Sequence, residues 1–219
     1  CSAVVTVEDN EAPTASCVGA FSLSLDGNGQ ASITADQLDN SSSDNCGITS
    51  KQASTTSFDC NDAGNTVNVN LTVSDAAGNS DICSVAITVV DQTAPTALCQ
   101  DPTVVLDGSG NASITAAEVD QNSSDNCGLA SLNLDVSTFG CSNVLQSNTA
   151  TLTVTDVNGL QSTCTAEINV EDNELPTALC QDITIQLDAN GNAPESGSAV
   201  DNGSSDNCGI MSLDLFNQG

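Results

Sequence analysis

Aspartates return at fixed places along this chain, and they are the side chains most able to do chemistry. Asp39 and Asp44 recur as Asp120 and Asp125, then as Asp201 and Asp206. Asp75 recurs as Asp156. Asp9 recurs as Asp91 and Asp172, two of the three lying in the acidic stretches Glu8-Asp9-Asn10-Glu11 and Glu171-Asp172-Asn173-Glu174. Carboxylates with no His or thiolate beside them are hard oxygen donors and suit calcium, which takes about 6–8 such ligands. Asp9, Asp39, Asp44, Asp75, Asp91, Asp120, Asp125, Asp156 and Asp172 are therefore the candidate calcium ligands. The competing reading of each is a solvated acidic surface that keeps the chain soluble. No twelve-residue EF-hand loop is present.

The same charge balance excludes other functions. Against 29 Asp and Glu stands one base, Lys51, with no His, for a formal net charge of −28. Nucleic acid and anionic membranes both need Lys or Arg at their surfaces. An enzyme would have to run acid–base chemistry on carboxylates alone, and acids placed identically along a chain read as architecture, so no catalytic residue is assigned. A sugar site usually wants an aromatic platform, and the chain has four Phe, no Trp and no Tyr. There are 11 cysteines, and the nearest, such as Cys46 and Cys60, are 14 residues apart. That spacing argues against a metal-thiolate site and for disulfides formed in an oxidising compartment, outside the cell or on its surface.

The elements that hold these residues repeat. Ala12-Pro13-Thr14-Ala15-Ser16-Cys17 is matched by Ala94 to Cys99 and Leu175 to Cys180, a period of 82 and then 81. Ser-Asp-Asn-Cys-Gly stands at Ser43–Gly47, Ser124–Gly128 and Ser205–Gly209. The chain divides into the tail of one repeat (1–12), whole repeats at 13–94 and 95–175, and the first half of another (176–219). Within a repeat, Leu23 and Leu25 precede the turn Asp26-Gly27-Asn28-Gly29, and Ala31-Ser32-Ile33-Thr34 runs back. Ile48–Phe58 reads as one strand, and Val67–Val73 and Val85–Val89 alternate with period two. No stretch has a helical period. The prediction is an all-β fold of tandem β-sandwich repeats, each about 81 residues. Traced through these strands, Asp9, Asp39, Asp44 and Asp75 share the end of a sandwich that faces the preceding repeat.

A sandwich of about 80 residues with an aliphatic core is marginal by burial alone, and each disulfide adds about 2–4 kcal/mol. Chain reach leaves two pairings within a repeat. The favoured one joins Cys17 to Cys46 and Cys60 to Cys83, with Cys99–Cys127, Cys141–Cys164 and Cys180–Cys208 as copies and Cys1 single. The crossed alternative joins Cys17 to Cys60 and Cys46 to Cys83.

Pro-Thr-x-x-Cys, Asp-Asn-Cys-Gly, a strand ending Asp75-Ala76-Ala77-Gly78-Asn79-Ser80, and Cys83-Ser-Val-Ala-Ile-Thr-Val-Val-Asp91 together resemble the hyalin repeat (HYR) family, in the four-cysteine form found in tandem on large secreted bacterial surface proteins. The resemblance implies an immunoglobulin-like sandwich and a role as a structural or adhesive segment of an extracellular stalk, filament or adhesin. Its partners would be neighbouring repeats, with self-assembly into a fibre and no membrane insertion in this segment. The linker Val7-Glu8-Asp9-Asn10-Glu11-Ala12-Pro13 is similar to the calcium linkers between cadherin repeats. The alternative is a calcium-dependent ligand- or carbohydrate-binding module. The third repeat departs from the pattern at Ala193-Pro194-Glu195-Ser196-Gly197-Ser198, where a strand is expected. Sequons at Asn40, Asn70, Asn111, Asn122 and Asn202 are those an Asn- and Ser-rich chain produces by chance.

Overall fold

The computed structural model describes residues 1–193 and 195–215, so Pro194, in the divergent stretch of the third repeat, lies outside them, as do 216–219. The first repeat folds into β1 (Phe21–Ser24), β2 (Gln30–Ser32), α1 (Ala35–Leu38), β3 (Ile48–Ala53), β4 (Ser57–Asp59), β5 (Thr66–Asp75) and β6 (Ser80–Val90). Its four-stranded sheet has the order β1-β6-β5-β3, and β2 and β4 form a second, two-stranded sheet. The second repeat copies this with β7 (Thr103–Val105), β8 (Asn111–Ser113), α2 (Ala116–Val119), β9 (Leu129–Leu134), β10 (Thr138–Gly140), β11 (Asn148–Asp156) and β12 (Gln161–Glu171), in sheets β7-β12-β11-β9 and β8-β10. The protein is all-β and disulfide-stabilised, as its alternating sequence predicts.

The alternation does the sorting. Val69, Leu71 and Val73 of β5 and Val85, Ile87 and Val89 of β6 are buried, each set at every second position. Leu25, Ile33, Leu38 and Phe58 close the core from the other side. The second repeat buries the same ten places, with Leu106, Ile114, Val119, Phe139, Ala150, Leu152, Val154, Ala166, Ile168 and Val170. Fully burying a Val or Leu is worth about 1.5–3 kcal/mol, so this aliphatic set is the main source of each sandwich's stability.

Three local expectations are corrected. Leu23–Leu25 and Ala31–Thr34 do not pair as a hairpin: β1 runs parallel to β6, with Phe21 opposite Ile87, while β2 pairs antiparallel with β4. The stretch Ile48–Phe58 is two strands in different sheets, β3 against β5 and β4 against β2. Single helical turns also form, because Thr34 caps α1 in a reciprocal pair with Gln37, and at α2 the Glu118 carboxylate accepts from both the N–H and the hydroxyl of Thr115. Four residues are too few to show a period of 3.6.

In the third repeat, the described residues carry the turn α3 (Gly197–Val200) and the isolated bridges Thr177–Ser205 and Cys180–Asp201, with no sheet assigned.

Contacts gather the chain into two compact units whose borders are not those of the repeats. One unit holds 1–96 with 124–131 and 154–162, and the other holds 97–123, 132–153 and 163–219. The first unit thus includes the Ser-Asp-Asn-Cys-Gly tip and the Asp156 turn of the second repeat.

Four disulfides form: Cys17–Cys83, Cys60–Cys127, Cys99–Cys164 and Cys141–Cys208. Both expected schemes are overturned, and Cys46 and Cys180, expected in bonds, are free, as is Cys1. Both schemes confined all pairing to single repeats. Cys17 does stay within its own repeat but reaches Cys83 on β6, with Cα atoms 5.8 Å apart, whereas two bridges cross from one repeat to the next. Cys60, just after β4, lies by the Asp26 turn and meets Cys127 from the tip of the next repeat, at 5.2 Å.

Candidate metal centre

Two three-carboxylate clusters are the sites with chemical potential among the described residues: Asp9, Asp44 and Asp75, and Asp91, Asp125 and Asp156. In each, one oxygen per residue lies within 4.8 Å of the other two. Both clusters fall inside the first compact unit. Asp91 follows β6 in the link between repeats, Asp125 sits in the tip before β9, and Asp156 ends β11.

Backbone donors aim the second cluster. Thr93 N–H holds Asp91 Oδ1 at 3.0 Å, Cys127 N–H holds Asp125 Oδ1 at 2.8 Å, and the N–H groups of Asn158 and Leu160 both hold Asp156 Oδ1 at 2.8 Å. The three Oδ2 atoms are left buried and without a hydrogen-bond partner. Asp156 is 1 % exposed and Asp91 9 %. A buried, unpaired carboxylate oxygen is costly, and three together repel. A divalent cation removes both costs, and the donor set of carboxylate and amide oxygens is the one calcium takes.

Asn126, missed from the sequence, belongs to this centre. Its Nδ2 donates to the Asp26 carbonyl of the preceding repeat at 3.1 Å and to Asp91 Oδ1 at 3.3 Å, while its Oδ1 is buried and unpartnered. Asn207 repeats the arrangement, donating to the Asp107 carbonyl at 3.0 Å and to Asp172 Oδ1 at 3.1 Å. The signal was the Asn of Ser-Asp-Asn-Cys-Gly, present in all three copies.

The first cluster differs in detail. Asp9 Oδ2 and Asp44 Oδ1 are free, but Asp75 is occupied on both oxygens: Gly78 and Asn79 N–H hold Oδ1, and Asn79 Nδ2 holds Oδ2 at 2.8 Å. Burial works against ionising Asp75, yet the bonds from Asn79 and Gly78 outweigh it and hold its carboxyl below the ordinary aspartate range. Asn79 also donates to the Asp9 and Glu11 carbonyls, tying the turn to the linker. The free Cys46 thiol is pushed above its ordinary pKa by a hydrogen bond to Asp9 and by the Asp9 charge.

The remaining candidates are not gathered into these clusters. Asp39 accepts from Ser42 and pairs with Lys51 at 3.0 Å, and the Ser42 bond, opposed by desolvation and helped by Lys51, lowers its pKa. Asp120 accepts from the Ser123 N–H at 3.1 Å, in the same turn of the second repeat. Asp172 holds Glu174 N–H at 3.1 Å and meets Asn207, as described.

The fold and the clusters define a disulfide-stapled tandem β-sandwich with acidic centres where one repeat meets the next. No family model and no curated protein matches the chain. Among solved structures it is similar to human protocadherin-24 EC1-2 (12 % identity over 75 % of this chain and 100 % of that one, TM-score 0.38). It is also similar to the protocadherin gammaB7 EC3-6 cis-dimer structure (15 %, 84 % and 56 %, TM-score 0.37) and to protocadherin gamma B7 domains 1–4 (11 %, 81 % and 56 %, TM-score 0.34). The chain thus spans just over half the length of both gamma B7 chains.

Proposed function

We propose that this chain is a structural and adhesive repeat segment of an extracellular, cell-surface or secreted stalk of the hyalin-repeat kind, and that calcium binds at its repeat junctions. It is not an enzyme on this reading, and its partners are neighbouring repeats. The observation that carries calcium is the set of three buried, unpartnered Oδ2 atoms of Asp91, Asp125 and Asp156, with Asn126 Oδ1 orphaned beside them. Four disulfides support an oxidising location. No helix among the described residues is long and apolar enough to cross a membrane.

Calcium draws the linker residue Asp91 and the tip and turn residues Asp125 and Asp156 onto one ion, so it ties the tip and turn of the second repeat to the linker that precedes them. Calorimetric titration and small-angle scattering of the full chain in calcium, and in sodium at matched ionic strength, test this. The expected result is saturable calcium binding with a calcium-specific change in the scattering profile, the share of both that belongs to the second centre being lost in Asp125→Asn. Identical behaviour in calcium and sodium would return the carboxylates to a solvated acidic surface.

A further inference from the structure

The cluster and the bridge between repeats share one tripeptide. Asp125 supplies a carboxylate, Asn126 reaches back to the Asp26 carbonyl, and Cys127 is bonded to Cys60. On the far side of the bridge, Gly128 accepts from the Val157 N–H at 3.2 Å, so the bonded segment also abuts the turn that presents Asp156. The first copy of the tripeptide, Asp44-Asn45-Cys46, carries a free, exposed thiol, and Asn45 turns instead to Glu11 at 3.3 Å.

We infer that the Cys60–Cys127 bridge is a working part of the second centre: it sets the affinity of Asp91, Asp125 and Asp156 for a divalent cation, which makes the junction a redox-controlled cation site. The inference rests on the calcium reading above. Its physical basis is preorganisation. Without an ion, three like charges push the tip of the second repeat away from the Asp91 linker. Apart from the bridge, the tip is tied to the first repeat and the linker by hydrogen bonds, chiefly those of Asn126 and the reciprocal pair between Thr96 and Ser124 at 2.7 and 3.1 Å. A covalent bond two residues from Asp125 prevents that separation, so the cost of assembling the site is met when the bridge forms rather than when the ion binds. Linkage makes the effect reciprocal: a bound cation must protect the bridge by the same factor. Reduction takes two electrons and two protons from an added dithiol, which closes to its cyclic disulfide and leaves Cys60 and Cys127 as thiols.

The test uses the full chain with Asp44→Asn, which silences the first cluster. Calcium affinity is measured for this protein and for its Cys60→Ser/Cys127→Ser and Cys141→Ser/Cys208→Ser derivatives, with circular dichroism to check the fold. In parallel, the dithiothreitol concentration that half-reduces Cys60–Cys127 is read by mass mapping with and without calcium. The expected result is an affinity lower by about 5- to 150-fold in the first derivative, no change in the second, and a matching calcium protection of the bridge. Equal affinities in all three proteins, with a bridge whose reduction ignores calcium, would overturn the coupling and leave the calcium reading intact. No calcium binding to any of the proteins, the unmutated chain included, would overturn the calcium reading and this inference with it. Should the first derivative fail to fold, the reduction arm on the intact bridge decides alone.

Discussion

At Gly29 the backbone turns left-handed, with φ at 72°, and there is no room for a side chain. A Cβ there would run into Cys60 Sγ and stand 3.0 Å from the Asn126 carbonyl oxygen. Gly110 has the same φ and the same neighbours one repeat later, Cys141 Sγ at 2.6 Å and the Asn207 carbonyl at 2.9 Å. The glycine therefore does more than make a turn: it is the floor of a socket into which the next repeat's Asn-Cys tip fits. Gly29→Ala should cost roughly 1–3 kcal/mol through backbone strain and displacement of the bridge, and should raise the count of free thiols because Cys60 and Cys127 meet poorly. Gly27→Ala, with open space around it and no left-handed φ, is the control. Thermal melts with a thiol titration read both effects, and equal behaviour of the two variants would show that the socket tolerates a methyl group.

Strands β5 and β6 are where burial and sequence agree best. Leu71 is fully buried midway along β5, opposite Cys83 on β6. Leu71→Ala should cost roughly 2–5 kcal/mol, read as a lower guanidinium midpoint, while the equally central but exposed Asn70→Ala should stay within about 0.5 kcal/mol. These strands were legible because half-burial imposes period two on ten or eleven residues. The small sheet was not, since three-residue strands such as β2 and β4 carry too few alternations to reveal partner or sheet. The acidic end of the sandwich was legible by tracing strands: Asp9, Asp44 and Asp75 do meet. Asp39 shares that end of the sequence trace but is absorbed by its own turn with Ser42 and by Lys51. The disulfides were misread for a related reason. Cys60 follows β4, and its partner Cys127 belongs to the next repeat's tip, so no cysteine spacing within one repeat reveals that bridge.

For the molecule as a whole, the disulfide loops overlap. Residues 17–83, 60–127, 99–164 and 141–208 are each closed by a bridge, and each loop begins before the previous one ends. Under tension this network behaves unlike a row of independent beads. A pull between Cys17 and Cys208 would, in an unbridged chain, draw out 191 residues, roughly 650 Å of extended backbone. With the bridges, load crosses Cys17–Cys83, runs back 23 residues to Cys60, crosses to Cys127, runs 14 residues to Cys141 and crosses to Cys208. That path is 37 residues, roughly 125 Å at full stretch. A second path through Cys99–Cys164 is 39 residues long, so cutting the Cys60–Cys127 bridge hands the load to a route of almost equal length. Single-molecule pulling should release no more than about 125 Å between these points in the oxidised chain, little more after Cys60→Ser/Cys127→Ser, and several times as much after full reduction. Release of the full contour from the oxidised chain would show that the loops do not share the load. In engineering terms the protein is a short cable laid with two parallel cores, in which losing one core costs almost no length.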